Sequence, residues 1–361
     1  MIKHPGSSPS LLNALRAIAA LMIVWHHFAL YPLLAAWADP LIGAGLHWLA
    51  EYARATQVFF VIGGFVLAQS LDDRQWGRTE ALGRFVVERY LRLGLPYLAV
   101  IALILPIYSF SRGWLPAEVL GAPVTLPQLL AHLFFLQDIL GYESLSAGFW
   151  FICINFQLSL IYVVLLFLRD RFARSGLDWV AILGWPVAAL SLFYANRYPA
   201  LDDWFIFFFP YFFLGVVIQR VHKGSWRQAA FWLYQGMFCL AMLVEWRWRL
   251  GVAACVGLLL YWSEGGRYSV AWSRLPVIRH LGQISFSLFL VHFPVLVLVS
   301  AIWARLGLTE PLPALVGLCV AFLLSVLAAS VFHRWVEIPV NRLKHKTRQF
   351  GSKKPLVQSA A

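Results

Sequence analysis

LLNALRAIAALMIVWHHFAL, residues 11 to 30, is long and apolar enough to cross a bilayer as one helix, yet it carries Arg16 near its start and His26 and His27 near its end. A charge at the bilayer centre costs a few kcal/mol even on lenient insertion scales, so an ionisable residue inside a spanning helix points to function. Ten residues separate Arg16 from His27, which places them roughly 16 Å apart along a helix axis and, after eleven steps of about 100°, nearly on one face. One stripe therefore holds a permanent cation near the membrane edge and a titratable base deep inside. Either residue also has an ordinary explanation: Arg16 reaching up to headgroups, or His27 hydrogen-bonded to a neighbouring helix.

Composition fixes the class. Of 361 residues 61% are hydrophobic and only 13% are charged, and the mean hydropathy is +0.71, well above a soluble domain of this length. The expected fold is all-α, a polytopic membrane bundle. A net charge of +12 would suit nucleic acid, but the basic residues sit in short loops between apolar runs and read as topology signals, so no nucleic-acid partner is expected. Cys153, Cys239, Cys255 and Cys319 show neither metal-ligand nor disulfide spacing and are expected to be small core residues, with no metal bound. No small-residue cleavage site follows the first apolar run, so it is expected to be a retained helix.

Apolar runs predict ten spans, near 11–33, 54–71, 90–110, 147–168, 178–195, 203–220, 229–245, 249–263, 283–304 and 312–335. Two further apolar stretches, 40–49 and 126–140, are short and read as interfacial or re-entrant. With a cytoplasmic N-terminus, 22 Lys and Arg fall on the inner side and 6 on the outer, apart from Arg16. That bias supports both termini inside, in the cell (inner) membrane. The expected organisation is one transmembrane domain over 1–345 and a basic cytoplasmic tail over 346–361 whose charge suits anionic lipid. The outward loop, 111–147, brings His132, Asp138 and Glu143, which could meet an external substrate. The inner loop leads into RFVVERYLRLGLPY, 84–97, where Arg84, Arg89 and Arg92 offer planar forks suited to phosphate.

Seven separated segments fit one pattern: LNALRAIAALMIVWHHF (12–28), VFFVIGGFVLA (58–68), RFVVERYLRLGLPY (84–97), GFWFICINFQLSLIY (148–162), YFFLGVVI (211–218), LGQISFSLFLVHFPV (281–295) and FHRWVEIPVNRL (332–343). In this order they resemble the acyltransferase-3 family of integral membrane O-acyltransferases. The resemblance implies Arg16 and His27 as the family's basic residue and histidine, hence the catalytic pair, with His27 and not His26 at the matching place. It implies Arg84, Arg89 and Arg92 as the contact for acyl-CoA, acetyl-CoA in the simplest case. Trp150, Asn155, Gln157 and His292 are expected to bind substrate, and Glu337 with Pro339 forms the family's closing element. The family's FF-x-x-S/G-GF element falls on Phe59, Phe60, Gly63, Gly64 and Phe65, whose glycines would allow close helix packing or substrate approach. Asn155 stands where the family usually shows a glutamate, and an amide cannot act as a base at neutral pH.

Acyl transfer from a thioester to an alcohol needs a base for the hydroxyl proton and a cation or donor set for the oxyanion. His27 suits the first task. The reading is a membrane O-acyltransferase working on a glycan or lipid-linked saccharide at the cell surface. The alternative is a transporter or exporter without acyl chemistry, for which no convincing internal repeat is found.

Overall fold

The computed structural model describes residues 9–263 and 274–342. All regular structure among the described residues is helical. In chain order the helices are α1 (Pro9–Leu30), α2 (Leu34–Tyr52), α3 (Thr56–Leu71), α4 (Thr79–Ser111), α5 (Ala117–Leu120), α6 (Leu126–Leu133) and α7 (Phe149–Arg171). Then follow α8 (Trp179–Phe193), α9 (Phe205–His222), α10 (Gln228–Val244), α11 (Trp248–Trp262), α12 (Pro276–Arg305) and α13 (Pro311–Phe332), the last continued by a π-helical turn, His333–Glu337.

Eight helical stretches of the described residues are long and apolar enough to cross a membrane. Each of the ten predicted spans is occupied by a helix, but α10 and α11 have 17 and 15 residues and reach only about 25 and 22 Å, short of a hydrocarbon core of roughly 30 Å. Large side chains such as Leu233, Leu243 and Leu323 are exposed on the outside of the bundle. A surface of that kind is favourable against lipid and not against water. Three of the four cysteines belong to it: Cys153 is buried, whereas Cys239, Cys255 and Cys319 are exposed, contrary to the expectation that all four fill the core.

The stretch around 40–49 belongs to the longer α2, which bends where Pro40 removes a backbone donor and Ile42 leaves helical geometry. Asn13 and Arg16 at the start of α1 and Ser70 at the finish of α3 line one cavity. Helices α1 and α3 are thus antiparallel, and α2 begins and ends at the opposite end of the bundle, as a re-entrant or interfacial segment does. The 126–140 stretch is helical only over α6, which opens with a reciprocal cap between Thr125 and Gln128. The tail, 346–361, lies outside the described residues.

Small residues set the closest approaches. A side chain at Gly64 of α3 would collide with the Phe212 backbone of α9, and one at Gly215 with the backbone of Val61. At Gly282 of α12 the obstacle is the backbone of Asn13 in α1. Without a hydrophobic drive between helices in lipid, such backbone contact is what holds them. Polar ties secure the arginine-rich end. Arg220 of α9 is buried, its Nε 3.1 Å from Asp72 Oδ2 and its Nη1 3.2 Å from Asp178 Oδ2, while the hydroxyl of Tyr162 donates to Asp72. Truncating one partner strands the other's charge in the interior. Arg220→Ala is therefore expected to lower stability by about 3–5 kcal/mol, read as a lowered unfolding midpoint of the detergent-purified protein.

Candidate active site

The start of α1, most of the inward face of α3, the first half of α4, the start of α7, the first half of α12 and the π-helical turn enclose a cavity of about 590 Å³. Arg16, Arg89 and Arg92 all face it, with Glu337 and His333 on the opposing wall. Only one carboxylate among its lining residues opposes three guanidinium groups, so the chamber is built for an anion. The carboxylate is engaged: Glu337 Oε2 accepts from Ser287 Oγ at 2.7 Å and lies 2.8 Å from His333 Nδ1. The first contact fastens the π-helical turn to α12, and the second braces the turn from within. The widened turn carries His333 and Glu337 to the cavity and leaves Trp335 exposed outside. Such irregular turns recur at functional sites.

Asn155 does not stand free in the chamber. Its Oδ1 accepts from Arg89 Nη2 at 2.5 Å. A glutamate there would pair with Arg89 and cancel its charge, whereas the amide holds the guanidinium in place and leaves the charge uncompensated. Arg84 is exposed and is not among the lining residues, so the predicted arginine trio divides: two face the cavity and one does not.

The predicted catalytic pair divides as well. Arg16 belongs to the cavity, but His27 is buried and does not line it. His27 instead meets His292 of α12, Nδ1 to Nε2 at 2.8 Å, with the two rings stacked at 5.0 Å and 8°. Nδ1 of His292 lies 3.0 Å from the carbonyl of Leu288, which can only accept. The assignment of protons in the neutral pair follows: His292 donates from Nδ1 to Leu288 and accepts at Nε2, His27 donates from Nδ1, and the free lone pair is on His27 Nε2. A base whose tautomer is fixed by a second group is the arrangement general-base catalysis uses. The neighbouring His26 turns the other way, with Nδ1 3.3 Å from the Leu49 carbonyl of α2.

Other predicted residues have structural duties. Gln157 spans the start of α9, accepting from Phe205 N–H at 2.8 Å and donating to the Asp203 carbonyl at 3.3 Å. Trp150 packs on Phe208, centroids 5.2 Å apart, and does not line the cavity. In the loop beyond α4, His132 is fully buried, bonded to the Gln128 carbonyl at 3.0 Å and accepting from Leu145 N–H at 3.1 Å. Burial pushes its pKa down to about 4, and it braces the loop from within, its ring turned away from any external substrate. Reading the sequence missed Asn13, Gln283, His333 and the ring of Phe289. Only His333 had a signal, its i, i+4 spacing to Glu337.

Ionisable groups held this deep among apolar helices define an integral membrane protein with its chemistry inside the bundle. The comparisons give that chemistry its kind. The chain belongs to the acyltransferase-3 family, whose model, described as an acyltransferase domain, matches residues 11–330. It is also similar to acyltransferase MdmB from Streptomyces mycarofaciens, 25% identical over 373 residues, covering 93% of this chain and 92% of that protein. No solved structure matches significantly. The protein is a membrane transferase of acyl groups, and the transporter alternative gives way to an enzyme.

Proposed function

We propose that the protein takes an acyl group, acetyl in the simplest case, from acyl-CoA on the cytoplasmic side and places it on a hydroxyl of a surface or exported glycan. The observation that carries this reading is the sequence of compartments along the bundle: a cavity facing three arginines, then, one helical turn further along α12, the hydrogen-bonded histidines. Arg16, Arg89 and Arg92 hold the donor's phosphates, and the thioester points toward His27. His27 Nε2 takes the proton of the acceptor hydroxyl as its oxygen bonds to the thioester carbon. The tetrahedral intermediate then collapses, the C–S bond breaks, and the leaving CoA thiolate takes the proton back from His27. Atoms and charge balance without a metal or redox partner.

The direct test is the O-acetyl content of purified surface polysaccharide, measured by NMR in cells lacking the protein and in cells complemented with it. Loss and restoration of an acetyl signal supports a glycan acceptor, and an unchanged pattern rules that acceptor out. A sharper expectation separates the arginines. A hydrogen bond to a charged group is worth about 1.5–3 kcal/mol, so Arg92→Gln should raise KM for acetyl-CoA by about 10- to 100-fold with little change in kcat. Arg84→Gln, off the cavity, should leave both constants within about twofold, the size of an ordinary surface change.

A further inference from the structure

The far end of the cavity is closed by three phenylalanines. Phe59 of α3, Phe151 of α7 and Phe289 of α12 all line it, with ring centroids 6.0 Å apart for Phe59 and Phe151, 6.4 Å for Phe59 and Phe289, and 5.0 Å for Phe151 and Phe289. On its other side Phe289 lies 6.2 Å from His292. Neither histidine of the pair reaches the cavity. The three rings form one layer that touches the cationic chamber on one face and, through Phe289, the base's partner His292 on the other.

The position of Phe289 is built into the fold. Glycine at 148, just before α7, leaves the room it occupies: a Cβ there would lie 2.8 Å from Phe289 Cε1, 3.0 Å from its carbonyl oxygen and 3.1 Å from Cζ, so a larger residue would push the ring aside. Lower in the same chamber the wall is loose: a Cβ on Gly63, which lines the cavity one turn past Phe59, would meet nothing within 4 Å. The chamber is spacious where the donor's body would lie and tight at the tip where its acyl group would end.

We propose that Phe289 is the specificity-determining residue for acyl length. Its ring, backed by Phe59 and Phe151, ends the slot that receives the acyl chain, so a two-carbon group fits beneath it and longer chains collide with it. The inference rests on the reading of the cavity as the acyl-CoA site, which it deepens. Removing the ring lengthens the slot by the volume of the phenyl group and makes room for additional methylenes. Each methylene newly buried is worth about 0.8 kcal/mol, or roughly fourfold in affinity.

The test is equilibrium binding of acetyl-, butyryl- and hexanoyl-CoA to the purified full-length protein, wild type against Phe289→Ala. The butyryl-to-acetyl affinity ratio should rise about 15-fold in the variant, two methylenes at roughly fourfold each, with a larger rise for hexanoyl-CoA. An unchanged ratio in a variant that still binds acetyl-CoA overturns the length role of Phe289. Where Phe289→Ala does not fold, Phe289→Leu decides by the same ratio, with an expected rise of about fourfold and no rise as the contrary result. If the wild type binds none of the three, the donor reading of the cavity itself fails, and the proposal with it. Binding with an unaltered length preference strikes the length role alone.

Discussion

Replacing His27 by Ala is expected to lower the rate of acyl transfer by about 10²- to 10⁴-fold, the usual contribution of a positioned general base. That corresponds to roughly 3–5.5 kcal/mol of transition-state stabilisation. The loss should fall on kcat, because His27 does not line the arginine cavity and a donor bound there has no contact with it. Affinity for acetyl-CoA should therefore stay within about twofold of wild type, as for a change remote from a binding site. Stability should respond modestly, since the substitution leaves Nε2 of buried His292 without a donor, a cost of about 1–3 kcal/mol. Transfer assayed on purified protein beside donor binding separates the two effects. Transfer at the wild-type rate in a folded variant would remove His27 from the base role, and unimpaired chemistry with lost donor binding would move it to the donor site.

His27 and not His26 falls at the histidine of the family resemblance, and helical geometry agrees with that choice. Eleven steps from Arg16 bring His27 onto the cationic stripe, and the adjacent residue necessarily turns about 100° away, where it meets α2. The glycine pair of the third element was legible in kind, and the structure shows that its two members divide the duties. Gly64 lets α9 approach the backbone of α3, while Gly63 faces the open chamber. The same arithmetic sorts the arginines only in part, since Arg84 lies just about 80° from Arg92. Arg89 and Arg92, three apart, share a face, whereas Arg84 is five steps from Arg89 and lies about 140° around the helix. What one sequence cannot show is which faces meet. His27 and His292 are 265 positions apart, and nothing local to either marks the other as its partner. The aromatic layer was equally hidden, since phenylalanines in apolar helices look like core. Only the absence of the histidines from the cavity gives those rings a role. Gln157 shows a related ambiguity: a polar residue in a spanning helix suggests substrate, but the start of a neighbouring helix also needs hydrogen bonds, and Gln157 supplies them to α9.

The second large effect belongs to His292. Both of its ring nitrogens are engaged, one with the Leu288 carbonyl and one with His27, so it acts through His27 and has no polar atom left for a substrate. His292→Leu removes the acceptor that holds the proton on His27 Nδ1. The freed imidazole then spends part of its time in the other tautomer or rotated, with its lone pair away from the acceptor hydroxyl. A fall in kcat of about 10- to 10³-fold is expected, smaller than the loss of the base itself, with KM for acetyl-CoA unchanged. Loss of packing would also slow the enzyme, so two further readouts carry the argument. His292→Gln offers a carbonyl oxygen able to accept from His27 Nδ1 and should recover activity to within about tenfold of wild type, although it packs less like histidine than leucine fills space. In a His27→Ala background, His292→Leu should cost almost nothing more, because residues that act as a unit are not additive. If leucine and glutamine are equally damaging and their losses add to that of His27→Ala, then the contact holds two helices together and does not aim a base. Recovery by glutamine with non-additive losses would mean that the 2.8 Å bond between the rings sets which nitrogen of His27 meets the acceptor.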